Sequence, residues 1–234
     1  MAANRKLLAA AAACAAAVIG ITGCSGDSGD KDPFEGMSAD KIAKKAANAS
    51  EDAGSFRAKG NGKRDGKLVD VDFSVAKSGD CKGKMGSATE GHAQILAVGK
   101  TSYVKGDDKF WANSPGGGSG VTELLKGRWM KSPGGQGSPC KAEEMFKTKE
   151  LKGLKREKDA EVDGKKAAVL TKKKGDETKT FYVAMEGKPY FLKVVIKGGD
   201  EPGTVVFSDY GTAIEVKAPP ASETVDTDKL VSGS

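Results

Sequence analysis

The stretch GKLVDVDFSVA, residues 66–76, alternates apolar and polar side chains without a break. In an extended chain Val69, Val71, Phe73 and Val75 share one face, and Asp70, Asp72 and Ser74 share the other. At the period of an α-helix the same residues would scatter around the axis, so the segment is a β-strand with one face turned to an apolar interior. Runs of similar length at 55–61, 80–87, 92–98, 101–105, 155–162, 165–173, 178–185, 190–197, 204–209 and 213–217 are separated by turns such as VDGK, KKGDE and GGDEPG. About eleven strands follow one another with hairpin-like spacing and no crossover helices. That pattern predicts a single antiparallel meander, in which Gly60, Asn61 and Gly62 form a hairpin turn and Lys172, Lys173 and Lys174 a solvated tip.

Helical signals are few. Residues 37–51, MSADKIAKKAANASE, predict a first helix with Ser38 as N-cap, Met37 packing on Ile42, and an inner face of Ile42, Ala46 and Ala49. The middle of the chain is irregular: KFWAN at 109–113, a glycine loop, a short helix near 121–126, the segment GRWMKSP, a second glycine loop, and a helix at 140–147. It is too long for a hairpin and too apolar for a linker, so it is expected to fold over one sheet face.

The N-terminus carries a different message. MAANRK is basic, and residues 7–21 form an apolar run of about 15 residues. This is the order of a secretory signal, and the run is short of the roughly 20 residues that span a bilayer. ITGC follows it and looks like a bacterial lipobox. On that reading residues 1–23 are a signal peptide, Cys24 receives a diacylglyceryl group, and residues 24–37 are a flexible, lipidated tether ahead of one domain at 38–230. Two acyl chains give lasting attachment where one does not. The expected location is the extracytoplasmic face of the cell membrane.

Export also shapes the remaining chemistry. Lys and Arg number 38 against 32 Asp and Glu; removal of Arg5 and Lys6 leaves 36 against 32, a mildly basic, well-mixed chain with no nucleic-acid footprint. Cys14 leaves with the signal and Cys24 carries lipid, so Cys81 and Cys140 form the expected disulfide. Closing a loop of about 60 residues, it contributes roughly 4 kcal/mol on the chain-entropy model. No catalytic constellation emerges. His92 is the only histidine, no GxSxG elbow is present, Glu143 and Glu144 are merely adjacent, and no cysteine or histidine spacing suits a metal. A non-enzyme without cofactor is expected.

VGKTSYVKGDDKFW, GRWMKS and above all FSDYGTAIEVKAPPASETVDTDKL at 207–230 give the chain a resemblance to actinobacterial cell-envelope lipoproteins of the LppX/LprG type, relatives of the Lol lipoprotein carriers. The resemblance implies an α+β, mainly β fold: a curved antiparallel half-barrel covered by a few helices around an apolar cavity. It further implies binding of the acyl chains of a lipid or glycolipid and their carriage within the envelope. The alternating residues that would face such a cavity are Val69, Val71, Phe73, Val75, Phe181, Val183, Leu192, Val194 and Ile196. The alternative is a filled core, with Trp111 and Trp129 presented to an envelope protein or cell-wall partner.

Overall fold

Lys67–Ala76 (β2) pairs along its whole length with Ser55–Arg64 (β1). Asp65 and Gly66 join them with φ of 51° and 76°, a two-residue turn whose twist matches that of the strands. The computed structural model describes residues 31–115, 118–133, 140, 146 and 151–226. Within it the hairpin extends through Cys81–Ser87 (β3), Gly91–Val98 (β4), Thr101–Gly106 (β5) and Trp129–Pro133 (β6). Lys155–Arg156 (β7), Ala160–Val162 (β8), Lys165–Lys174 (β9), Glu177–Ala184 (β10), Phe191–Lys197 (β11) and Gly203–Ser208 (β12) follow, and Thr224–Asp226 (β13) runs parallel to β6.

The result is one open, curved, 13-stranded sheet in the order β13-β6-β5-β4-β3-β2-β1-β12-β11-β10-β9-β7, with β8 on β9. It is two meanders joined where β1 pairs with β12, not a single meander. The glycines at 60 and 62 explain the joint. They lie inside β1 and do not turn the chain, because a Cβ on Gly60 would sit 2.0 Å from the Thr204 carbonyl oxygen. Only glycine lets the two backbones meet there. The strand expected at 213–217 does not form, since both flanks of β12 are already taken by β1 and β11. GRWMKSP, by contrast, contributes β6, and the run at 155–162 splits into β7 and β8.

Ala39–Asp52 (α1) starts at Ser38, whose Oγ accepts a hydrogen bond from the Lys41 amide at 3.3 Å. It buries Ala39, Ile42, Ala43, Ala46, Ala47 and Ser50 against the apolar sheet face, a wider stripe than the sequence suggests. Asp40 fastens the helix from the side, accepting from the amides of Gly153 (3.0 Å) and Leu154 (2.8 Å). KFWAN is helical, part of Asp108–Asn113 (α2), capped by Asp107 accepting from the Phe110 amide at 2.7 Å. Ser119–Leu125 (α3) follows it.

The folded unit begins at Asp32, earlier than the expected end of the tether. Phe34 is 2% exposed within the core, and Asp32 pairs with Arg156 at 2.7 Å, so residues 32–37 are held by packing and charge. Cys81 and Cys140 are joined in a disulfide, their Cα atoms 5.7 Å apart, inside the same core. Phe146 stacks on Phe191 and meets Phe56 and Phe207. Cys24 and the helix expected at 140–147, apart from Cys140 and Phe146 themselves, lie outside the described residues.

Candidate functional site

Burial along β2 changes from end to end. Val75 and Phe73 are 0% and 2% exposed, whereas Val71 and Val69 are half-buried. The register explains the difference. Phe73 stands in a cross-strand row with Ala58, Phe207 and Ile95, close to the cluster that α1 and Phe146 complete. The next rows toward the β1–β2 turn, Val71 with Val205 and Val194, and Val69 with Ile196, lie beyond that cover.

There the apolar face bounds a cavity of about 420 Å³, lined by Val69, Val71, Phe73, Met85, Val194 and Ile196. Gly62, Gly203 and Val205 complete the floor, and Lys63, Arg64 and Glu201 stand at its edge. The volume lies within the range of about 300–1,000 Å³ found for small-ligand sites. One feature makes the space: glycines at 62 and 203 place no side chain between β1 and β12.

Five of the nine residues picked from alternation, Val69, Val71, Phe73, Val194 and Ile196, thus meet around one cavity. Val75, Phe181 and Val183 lie elsewhere, packed in the main core. Leu192 is on a different surface, with Val162, Ala167 and Ala184. The cause is a β-bulge between β10 and β11: Tyr182 pairs with Lys193 but Val183 with Phe191, leaving Leu192 as the extra residue and resetting the alternation. Met85 and Val205 were not picked. In CKGKMGS, Met85 shares the strand period of Cys81 and Gly83, opposite Lys82 and Lys84, which is the signal that could have found it.

The other candidates resolve as well. Trp111 and Trp129 are 3% and 8% exposed, and Trp111 packs with Leu125 and Val225. Neither indole is presented to a partner. His92 lies on the opposite, polar face, with Nδ1 3.6 Å from Asp107. No group of three metal-ligating side chains occurs among the described residues, and none of the helices they form is long and apolar enough to cross a membrane.

The fold can now be placed among known structures. LprF from Mycobacterium bovis superposes with a TM-score of 0.54 at 10% identity, over 78% of this chain and 97% of that one. The chain has the fold of LprF. The LppX lipoprotein of Mycobacterium tuberculosis aligns over 76% of this chain and 98% of its own, at 17% identity and a TM-score of 0.49. No protein-family model matches the sequence, and no curated protein does. The curved sheet and helical cover shared with LprF are what the resemblance in the sequence implies for the fold.

Proposed function

We propose that this protein is a non-enzymatic, membrane-anchored extracytoplasmic lipoprotein that binds the acyl chains of a lipid or glycolipid and carries it within the envelope. The observation that supports this reading is the cavity itself: the one apolar sheet face is filled at the α1 end and bounds about 420 Å³ beside the β1–β2 turn. Acyl chains moving there from water would be driven by roughly 25 cal/mol for each Å² of apolar surface removed. Lys63 and Arg64 stand where an anionic head group would emerge, Arg64 offering the planar fork that suits phosphate or carboxylate. Cys24, lipidated after removal of residues 1–23, would tether the domain to the membrane that holds its ligand.

Val71→Asp tests the reading. Val71 is half-buried at the cavity, so the variant is expected to fold and to lose uptake of a fluorescent long-chain fatty acid. Unchanged uptake by a folded Val71→Asp protein would contradict the proposal. Phe73→Asp is a poorer probe, since it buries an unpaired charge in the core.

A further inference from the structure

A second recess, of about 680 Å³, lies on the sheet face opposite the apolar cavity. It crosses five neighbouring strands. Its lining holds two outward-pointing rows: Lys59, Asp72, Lys84, Gln94 and Lys105 on one side, and Asn61, Asp70, Gly86 and His92, extended by the helix-capping Asp107, on the other. Between them the backbone of Gly60, Val71, Met85, Ala93 and Gly106 forms the floor. Phe73, Phe110 and Trp111, which fill the inner face nearby, take no part in the lining. At ordinary strand spacings the groove is about 19 Å long, with walls about 7 Å apart.

The two walls differ in charge. In the first, the carboxylate of Asp72 is held by Arg57 in a two-pronged pair, Nε to Oδ1 and Nη2 to Oδ2, each 2.7 Å. Arg57 keeps that carboxyl below the usual carboxylate range. With Asp72 so engaged, the wall carries Lys59, Lys84 and Lys105 on alternate strands, about 10 Å apart, Lys105 with its ammonium 5.9 Å from the centroid of the Trp129 ring at the end of the groove. The second wall offers Asn61, Asp70 and His92, which accept and donate hydrogen bonds, and Asp107, which is occupied by the amides of Phe110 and His92.

We infer that this groove binds an acidic glycan strand bearing one anionic group on every second sugar. Two strand spacings match the length of two linked pyranose rings, so successive acids would reach Lys59, Lys84 and Lys105. Hydroxyls on the opposite edge would meet Asp70, Asn61 and His92. A fully charged polypeptide has the wrong spacing and no hydroxyls, and a neutral glycan leaves the lysine wall unanswered. The groove lies on the other face of the sheet, so this inference stands apart from acyl-chain binding.

The test is calorimetric titration of the domain with three probes: a hyaluronan oligosaccharide, which carries one carboxylate per disaccharide, a chitin oligosaccharide, and poly-glutamate of equal charge. Hyaluronan is expected to bind, the other two to bind far more weakly, and a Lys59→Glu, Lys84→Glu double variant to lose affinity for hyaluronan by at least about tenfold, or 1.4 kcal/mol. Both lysines are exposed, and an unchanged thermal transition would show that the variant is folded. Absence of hyaluronan binding, poly-glutamate binding of equal strength, or indifference to the double substitution would each overturn the inference.

Discussion

Ile42 is wholly buried in α1, among alanines that leave it as the one large side chain of the helix's inner stripe. Ile42→Ala is expected to destabilise the domain by about 2–5 kcal/mol, measured by denaturant unfolding. Tyr210 illustrates a different kind of residue. It belongs to the C-terminal block that carried the family resemblance, and its hydroxyl donates to the Phe191 carbonyl at 2.7 Å while its ring stacks on Tyr190. Burial pushes its phenol above the ordinary tyrosine range. Nearby, Ser55 Oγ donates to the Thr212 carbonyl and the Gly211 amide to that of Ser55. That motif is therefore a clasp between the β12 end and β1. Tyr210→Phe should cost about 1 kcal/mol in a thermal or denaturant melt. Alternation made Val69, Val71 and Phe73 legible as inward residues. It misplaced Leu192, because a bulge is set by how two strands meet and leaves no mark in either one.

Elements were legible in proportion to how local their causes are. The N-cap of α1 and the Asp-Gly turn at 163–164 are decided by adjacent residues, and the turn shows the positive φ it needs; the turn expected at 60–62 lies instead at Asp65 and Gly66. The strand expected at 213–217 failed because its pairing position beside β12 was occupied by β1, a strand from the opposite end of the chain order. The same non-local logic governs the seam between β1 and β12. Gly60→Val should break it, since the Thr204 carbonyl is backbone and cannot move aside. Amide exchange in β1 and β12 is expected to rise sharply, with loss of the cooperative transition. The docking of α1 is expected to depend on pH. The amides of Gly153 and Leu154 hold the Asp40 carboxyl below its usual range, and the hydrogen bond from Arg156 does the same for Asp32. Groups depressed on folding stabilise above the ordinary carboxylate pKa of about 4, and that contribution is lost as pH falls through their folded values. Tryptophan-independent probes of α1, such as its amide exchange, should register weakening below about pH 4 ahead of the core strands.

At the scale of the whole molecule, α1 and the disulfide fill one part of the two-meander sheet's apolar face, and the cavity lies beyond their cover. Cys81→Ser with Cys140→Ser removes a crosslink spanning 59 residues and should cost roughly 4 kcal/mol, read as a fall in the denaturation midpoint. Alternation in the sequence pointed to a mainly β domain, and the N-terminal pattern raised the expectation of export. The cavity was not legible, because a half-buried valine and a buried one have the same sequence signature, and only the reach of α1 and Phe146 separates them. Native mass spectrometry of residues 25–234, made without the anchor in a native-like host and measured before and after organic extraction, addresses the lipid-binding proposal directly. Acyl-chain binding predicts a discrete added mass, identified as an acylated lipid, that extraction removes and that Val71→Asp lacks. A bare polypeptide mass, with no uptake when long-chain lipid is offered, would contradict it.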